Sequence, residues 1–307
     1  MAREQFGVCA EPNLHGTYLL FNAFDDKKQF IRQALSRIPA MLDHYADRFS
    51  EANLNGVVAI SANYWDELCP EGRPKHLTSF PMMQSDDRIA PATSGDLYIE
   101  IRSDRSDVNH IVAGKVCELL GDSVELIEQT RAFRYLDGRD LTGFVDGTEN
   151  PQGQRRREVA LVKEDDDPSF AGGSYLHVQR YRHNLKLWNM MSEKSQEDVF
   201  GRTKVENIEY KGEDKPLTAH TKRTSLKDAD GNSLEILRQS MPYGDMKVQG
   251  LFFVSYCHSP EPFKLMLQSM IQGDSEGHFD HILKFTEAQT GVALFAPSLN
   301  FLASLAE

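Results

Sequence analysis

The sequence predicts an α+β fold in which helices lie at the periphery of antiparallel sheets. The first observation is the order of predicted elements, since strand–helix–strand occurs twice within residues 17–135. That order suits a ferredoxin-like unit, an antiparallel sheet with helices on one face. The second observation is a weak internal repeat, in which residues 16–21 and the helix after them resemble residues 250–255 and their helix. Together these predict two ferredoxin-like halves.

The first half alternates strands with amphipathic helices. Apolar residues at three- and four-residue spacing predict two helices, and Pro39 predicts a kink or break in the first of them. In one strand Tyr98, Glu100 and Arg102 alternate with apolar residues, which predicts one solvent-exposed face. The predicted strands cover residues 17–24, 57–60, 97–102 and 124–135, and the helices cover 30–45 and 108–120.

The second half contains longer polar connections. The stretch 202–234 is polar and longer than an ordinary connection, which favours a functional segment. Predicted strands cover residues 159–162, 174–182, 234–238 and 251–256, and predicted helices cover 185–199, 261–271 and 278–289.

Composition limits the classes of function. The 307-residue chain carries a formal net charge of −12, which argues against a nucleic-acid partner and against an anionic membrane surface. No long apolar run and no signal-peptide pattern is present, so we expect a cytoplasmic protein. The four cysteines are far apart and form no metal knuckle and no haem-attachment motif.

Residues 143–151 are the most informative segment, with the sequence Gly-Phe-Val-Asp-Gly-Thr-Glu-Asn-Pro. Taken alone, its Asp-Gly pair is typical of a tight turn. Two later segments favour a functional interpretation over a simple turn. They are residues 218–221, which contain His220, and residues 237–244, which contain Arg238. An isolated Gly-x-x-Asp-Gly motif is weak evidence, but the three segments in this order are specific.

This ordered set resembles the dye-decolourising peroxidases, and is most similar to their compact bacterial branch. The resemblance runs from about residue 15 to about residue 300. It implies two ferredoxin-like halves, an N-terminal half (1–150) that ends in the Gly-x-x-Asp-Gly loop and a C-terminal half (151–307) that binds haem. Since no covalent attachment motif exists, the haem would be haem b held non-covalently.

The resemblance implies that His220 is the axial ligand of the haem iron. A ligating histidine usually donates its other ring N–H to a carboxylate, and Asp280 matches the family position of that acid. Arg202 matches an arginine that meets a haem propionate. Without the resemblance, the alternatives are a core or surface histidine, an exposed helix acid and a solvated arginine.

On the peroxide side, the resemblance implies Asp146 as the group that moves a proton and Arg238 as the group that stabilises developing negative charge. Strand alternation places Leu251 and Phe253 on one side, as an apolar roof over the same pocket. Ser240 lies at a position where family members vary between Ser and Asn, and it is included among the cofactor-binding residues.

These residues predict a haem b peroxidase that reduces hydrogen peroxide and oxidises phenolic or dye-like donors in one-electron steps. Its partners would be peroxide and small aromatic donors, with no nucleic acid and no membrane, and we expect a homo-oligomer of two or more chains. One rival is a haem carrier or haem-iron-release protein that uses the same pocket. A second rival is a haem-free interaction domain with an acidic surface.

Two further patterns leave alternatives open. His278 and His281 are three residues apart, which would allow a zinc site, although no third ligand is evident. Large donors would react at the protein surface, with an aromatic side chain relaying the electron. The candidates for this relay, each also explained by packing, are Tyr175, Tyr181, Trp188 and Tyr243.

Overall fold

The computed structural model describes residues 2–306, which form α-helices and antiparallel strands. The helices are α1 (Phe6–Cys9), α2 (Lys28–Arg48), α3 (Trp65–Leu68), α4 (Ser106–Leu120), α5 (Arg155–Ala160), α6 (Leu185–Trp188), α7 (Glu193–Phe200), α8 (His220–Thr224), α9 (Glu261–Ile271) and α10 (Leu299–Ser304). The strands are β1 (His15–Ala23), β2 (Asn55–Ser61), β3 (Met83–Ser85), β4 (Arg88–Ala90), β5 (Leu97–Ser103), β6 (Val124–Phe133), β7 (Ser174–His183), β8 (Leu237–Arg238), β9 (Met241–Gly244), β10 (Gln249–Cys257), β11 (Thr286–Ala288) and β12 (Val292–Ala296).

The first four long strands form one antiparallel sheet in the order β6-β1-β5-β2. Taken in chain order, the fourth strand therefore lies beside the first, followed by the third and the second. Helices α2 and α4 pack on one face of this sheet and bury an apolar core against it. The predicted strand–helix–strand repeat of the first half is confirmed.

The second half repeats the arrangement. Strands β12, β7, β10 and β9 lie side by side in that order, so the fourth strand is again followed by the first, third and second. Helix α9 lies on this sheet as α4 lies on the first one. The predicted α+β fold of two ferredoxin-like halves is therefore confirmed, while the division of the chain after residue 150 stays a prediction.

The two sheets join at both edges into a closed antiparallel barrel. Strand β12 pairs with β2 through Leu294 and Ser61, and β6 meets β9 through Ala132 and Tyr243. Side chains from both sheets fill the interior, where Tyr18 stacks on a phenylalanine of the second half with ring centroids 4.2 Å apart. Closure pairs part of each edge of the first sheet, and sheet edges are the usual site of unwanted strand pairing.

The expectation of a solvent-exposed face on β5 is wrong. The second sheet covers that face, so Glu100 and Arg102 are completely buried. They survive there because they are paired: Nε of Arg102 lies 2.5 Å from Oε1 of Glu100, and the hydroxyls of Tyr98 and Tyr256 each donate to Oε2 at 2.9 Å. A buried charge is tolerated only when it is paired and hydrogen-bonded in this way.

Of the kink or break expected at Pro39, the break is wrong, because α2 continues through this residue, while the kink stays a prediction. A proline inside a helix removes one backbone hydrogen bond and costs about 3 kcal/mol. Burial of the apolar face of α2 outweighs that cost, since each buried aliphatic side chain contributes about 1.5–3 kcal/mol. The buried residues of this face are Ile31, Ala34, Leu35, Ile38 and Leu42.

Of the described helices, α2 included, none combines the length and apolarity that crossing a membrane requires.

Tertiary contacts override four further local predictions in the second half. Residues 159–160 end helix α5 and residues 161–162 follow it without forming a strand, because Arg156 anchors α5 by donating to the backbone carbonyls of Cys9 and Ala10. Residues 278–289 are not a helix but a 3₁₀ turn (His281–Lys284) followed by β11, which pairs with β7. Residues 185–199 form two short helices, and the strand predicted over 234–238 is reduced to β8.

Candidate active site

A cavity of about 440 Å³ lies on the outer face of the second sheet. Alternate residues of two central strands form part of its wall: Gln179, Tyr181 and His183 from β7, and Leu251 and Phe253 from β10. Residues on the opposite face, among them Val178 of β7 and Phe252 and Val254 of β10, belong to the core of the barrel. The long connection after α7, the loop before residue 151, helix α9 and residues 282–286 supply the rest of the wall. The sequence predicted that this connection is functional, and it does line the cavity.

Asp146 is delivered to the cavity by a small, anchored turn. Its backbone N–H donates to the carbonyl of Gly138 at 3.0 Å, and the ring of Phe144 stacks on Phe200 with centroids 4.0 Å apart. Gly143 has a φ of +90°, and a Cβ there would lie 2.5 Å from Cε of Lys204. This combination of a left-handed backbone and a crossing side chain requires glycine.

Arg238 lies beside Asp146, although 92 residues separate the two positions in the chain. The Nη1 atom of Arg238 is 3.8 Å from Oδ1 of Asp146, and both side chains line the cavity. Arg238 comes from the short strand β8, which pairs with β10. The structure thus places together the two residues that the sequence predicted for the peroxide side.

The environment of Asp146 raises the pKa of its carboxyl. Burial raises the pKa of this carboxyl above its ordinary 3.8, the charge of Arg238 opposes that rise, and the neighbouring Asp140 carboxylate adds to it. The cation stays charged over the whole accessible pH range because guanidinium does not deprotonate in proteins. Asp146 is therefore a carboxyl whose pKa is displaced towards the pH at which proton transfer in both directions is efficient.

His220 and Asp280 form a second pair on the cavity wall. The Nδ1 atom of His220 is 2.7 Å from Oδ2 of Asp280, while Oδ1 of Asp280 accepts from the backbone N–H of Ile282 at 3.0 Å. Asp280 is fully buried, so it is not the exposed helix acid that remained an alternative. Because Asp280 engages Nδ1, Nε2 is the ring nitrogen that remains for a ligand in the cavity.

Arg202 is a buried cation on the same wall. Its Nη2 atom lies 3.3 Å from Oε1 of Glu149, a mostly exposed side chain. In the part of the chain that the structure describes, its Nε is buried and has no hydrogen-bond partner. The hydroxyl of the cavity residue Thr221 is likewise buried without one. Such unpaired donors are costly unless a bound group satisfies them.

Ser240 differs from the other predicted site residues in its position. Leu251 and Phe253 line the cavity as predicted, but Ser240 is not part of the lining. Its hydroxyl instead accepts a hydrogen bond from the backbone N–H of Val254 at 3.1 Å, which joins it to β10. The prediction that Ser240 binds the cofactor therefore rests on the resemblance alone.

The structure adds a pair that sequence reasoning missed, formed by Asp140 and His183. Oδ1 of Asp140 is 3.1 Å from Nε2 of His183, whose Nδ1 lies 2.8 Å from the hydroxyl of Thr286. Burial raises the pKa of Asp140, but His183 and two hydrogen bonds from Thr142 outweigh it and hold that pKa below its ordinary value. The sequence did contain a signal for a turn at Asp140, because an aspartate side chain often hydrogen-bonds the backbone two residues further on, here at Thr142.

The zinc alternative finds no support in the described residues. His278 lies 3.1 Å from Asp274, but within residues 2–306 no group of three histidine, cysteine, aspartate or glutamate side chains could hold a metal ion.

The aromatic candidates for electron relay are all buried. Tyr181 lines the cavity, and the indole N–H of Trp188 donates to the carbonyl of Thr142 at 2.9 Å. Their role in electron transfer stays a prediction.

The residues of the cavity fit a haem group. An imidazole with a buried carboxylate on its far nitrogen suits an axial ligand, and the unsatisfied guanidinium of Arg202 suits a propionate. Leu251 and Phe253 supply apolar contact, as a porphyrin requires. None of the four cysteines lines the cavity, so the donor set matches haem b held without covalent attachment.

This fold and this cavity, with its His–Asp pair and its Asp–Arg pair, define a haem peroxidase. The family model described as Dyp-type peroxidase, N-terminal matches residues 5–134, and Dyp-type peroxidase, C-terminal matches residues 137–301. The chain belongs to the Dyp-type peroxidase family, whose cofactor is non-covalent haem b.

Individual relatives agree with this assignment. A dye-decolorizing peroxidase of Mycolicibacterium paratuberculosis is 36% identical over 287 residues, which are 93% of this chain and 81% of the relative. A dyp-type peroxidase protein from Shewanella oneidensis shares 54% identity and a TM-score of 0.97, with 99% of each chain covered. A DypB variant of Rhodococcus jostii RHA1 in complex with heme shares 34% identity and a TM-score of 0.93, with 96% of each chain covered.

A more distant relative bears on the haem-carrier alternative. A deferrochelatase of Shigella flexneri is 24% identical over 263 residues, which are 73% of this chain and 62% of that protein. This similarity is well below the identity to the dye-decolorizing peroxidases.

Proposed function

We propose that this protein reduces hydrogen peroxide and oxidises phenolic or dye-like aromatic donors in one-electron steps. The observation that carries the proposal is the meeting of two pairs on one cavity: His220 with Asp280, and Asp146 with Arg238. The first pair provides an oriented ligand, and the second provides an acid–base group next to a fixed cation.

His220 would hold the cofactor through Nε2, with Arg202 on a propionate and Leu251 and Phe253 against the ring. Haem b, when bound, supplies the redox-active iron that passes electrons between donor and peroxide. Asp280 accepts the Nδ1–H of His220, which fixes the tautomer and makes the imidazole a stronger electron donor.

Asp146 would act on the proton of the peroxide. As a carboxylate, it takes the proton from one oxygen of the peroxide and returns it to the other, so that water can leave. Negative charge accumulates on the departing oxygen during this step, and the nearby guanidinium of Arg238 stabilises it electrostatically. Each residue therefore has a role that the other cannot fill.

The haem-carrier alternative uses the same His220. It gives no role to Asp146, a carboxyl with a raised pKa, beside the permanent positive charge of Arg238. The Asp146–Arg238 pair therefore favours peroxide turnover over passive carriage. With one equivalent of peroxide, a peroxidase shows a rapid change of the Soret band, followed by oxidation of an aromatic donor. A carrier would release iron or haem without consuming the donor.

The decisive experiment compares Asp146→Asn and Arg238→Leu with the wild-type protein by stopped-flow mixing with peroxide. Each variant should retain haem and lose about 10²–10⁴-fold in the second-order rate constant, the range typical of a lost acid–base group. Asp165→Asn, at an exposed acid away from the cavity, is the control and should react normally. Wild-type rates in both site variants would refute the proposed roles.

Three further expectations stay predictions. These are a cytoplasmic location, assembly into a homo-oligomer of two or more chains, and a contribution of Ser240 to cofactor binding. A neighbouring structure is of the encapsulated DyP-type peroxidase from Mycobacterium smegmatis, which supports assembly as a property of the family. Size-exclusion chromatography with light scattering would measure the number of chains.

A further inference from the structure

The separation between Asp146 and Arg238 needs an explanation, because their own contact does not fix it. At 3.8 Å, Oδ1 and Nη1 are beyond hydrogen-bond distance, and the two residues lie on different segments of the chain. A loose ion pair between partly exposed side chains contributes little to alignment. Some other contact must hold the loop of Asp146 against the strand of Arg238.

Asn150 makes that contact with both ends of its side-chain amide. Its Nδ2 donates to the backbone carbonyl of Arg238 at 2.8 Å, and its Oδ1 accepts the backbone N–H of Arg238 at 2.9 Å. The amide therefore pairs with Arg238 as a neighbouring strand would. The sequence analysis gave Asn150 no role beyond ending regular structure before Pro151.

The strand register shows why Arg238 depends on this amide. Arg238 is opposite Ser255 in the β8–β10 ladder, yet the backbone N–H that bonds β10 at this point is that of Gln239, which donates to Val254 at 2.9 Å. In an antiparallel ladder, adjacent residues turn their N–H and C=O groups to opposite sides. Those of Arg238 therefore face away from β10, and Asn150 is their partner.

Both sides of the Asn150 contact are held rigidly. On the loop side, the N–H of Asn150 donates to Gly147 at 3.0 Å, and Gly147 has a φ of +82°. On the strand side, Gln239 accepts from Arg102 at 2.7 Å and donates to the carbonyl of Ala10 at 2.9 Å. The buried network of the barrel thus reaches the residue next to Arg238.

We infer that Asn150 is a positioning residue that aligns Asp146 with Arg238 by clamping the backbone of Arg238. Its side chain is not part of the cavity lining, and it acts through the two residues that it connects. This inference rests on the proposed function, since alignment matters for rate only if Asp146 and Arg238 both act on peroxide. A displacement of about 1 Å at such a pair costs about 10²-fold in rate.

The test uses the haem-loaded Asn150→Ala protein, with Gln152→Ala as the matched control. Gln152 is an exposed amide of the same loop whose side chain bonds the backbone of Asn150 and not that of Arg238. Asn150→Ala should keep its Soret band and lose about 10–100-fold in the rate constant with peroxide. In an Asp146→Asn background, the same substitution should cost less than about threefold, because residues that act as a unit are non-additive.

Two readouts separate alignment from general stability. The first is the acid limb of the peroxide reaction, the fall of its rate constant at low pH. It should move to higher pH in Asn150→Ala, because Arg238, which lowers the pKa of Asp146, withdraws, while Asp140, which raises it, and His220, which lowers it, stay in place. The second is hydrogen exchange of the Arg238 amide, which should accelerate selectively in Asn150→Ala. If the alanine variant does not fold, Asn150→Asp replaces it, since that side chain keeps the shape but sets an oxygen against the Arg238 carbonyl.

The outcomes distinguish this inference from the proposed function. Normal exchange at Arg238, or a rate within about threefold of wild type, would overturn the inference while Asp146→Asn remains slow. An equal loss in the wild-type and Asp146→Asn backgrounds would also overturn it. If Asp146→Asn and Arg238→Leu both react normally, the proposed function fails and the alignment role fails with it.

Discussion

Nδ1 of His220 lies 2.7 Å from Oδ2 of Asp280, a carboxylate that the fold buries completely. The backbone holds this pair as well as the side chains do, because the N–H of Asp280 donates to Met270 and the N–H of His281 donates to Thr218. The ring of His220 is thereby fixed before any cofactor arrives.

His220→Ala should abolish most haem binding, because it removes the proposed axial ligand. Asp280→Asn should retain haem but weaken its affinity about 10–100-fold, the usual cost of removing a partner that orients a ligand. Soret absorbance during titration with haem measures both effects. His110→Ala, at an exposed histidine, is the control. A His220→Ala protein with full haem content and an unchanged Soret band would show that another residue is the ligand.

The rate constant with peroxide should fall at acid pH as Asp146 becomes protonated. Burial raises the pKa of Asp146, with Asp140 adding to the rise and Arg238 opposing it, so the limb should lie above the ordinary value of 3.8. Asp140→Asn removes a neighbouring negative charge and should move the limb to lower pH, whereas Arg238→Leu should move it higher. Stopped-flow measurements between pH 3 and 8 test the predicted order of these acid limbs. An acid limb that is unchanged in Asp146→Asn would reject Asp146 as the group that titrates.

Asp146 should also destabilise the folded chain at neutral pH. Because its pKa is higher in the folded state than in the unfolded state, the folded state favours the protonated acid. The stabilising effect is present below the unfolded pKa of about 4 and is lost as the pH rises through the folded pKa. Asp146→Asn should therefore increase the free energy of unfolding at pH 7, and this gain should vanish near pH 3. Urea unfolding of the haem-free chain at both pH values measures it.

Glu100→Gln should destabilise the protein strongly although it lies away from the cavity. The substitution leaves the guanidinium of Arg102 buried without its counter-charge, which typically costs about 3–5 kcal/mol. Lys115→Ala breaks an exposed ion pair with Glu118 and should have no measurable effect. Urea unfolding compares the two, and equal stability of Glu100→Gln and wild type would show that the buried pair adds nothing.

Periodicity predicted the long elements of this fold because each of them buries one apolar face. It failed where the partner surface comes from distant sequence. Glu100 and Arg102 look like solvent-facing residues of an alternating strand, and only the second sheet makes that face interior. Residues 278–289 have helical spacing, but the bonds of Asp280 and the pairing of β11 with β7 determine their conformation.

The candidate site divides in the same way. The roles expected of Asp146, His220 and Arg238 come from the family resemblance that the order of their motifs carries, and these roles stay predictions. The contact of Asn150 with Arg238 could not be inferred from the sequence, because it depends on which backbone groups the register of β8 leaves unpaired. Asp140 and His183 were missed because each has an ordinary local explanation, and only the fold brings them together.

Closure of the barrel has a mechanical consequence for substrate access. A hinge between the two sheets would have to separate β2 from β12 or β6 from β9, and so break a ladder that is continuous around the barrel. The sheets therefore behave as one rigid ring. Any opening wide enough to admit an aromatic molecule would therefore fall to the irregular segments that line the cavity, at residues 140–149 and 225–236. Their sequence, more than that of the barrel, would set the size of the molecule that can enter.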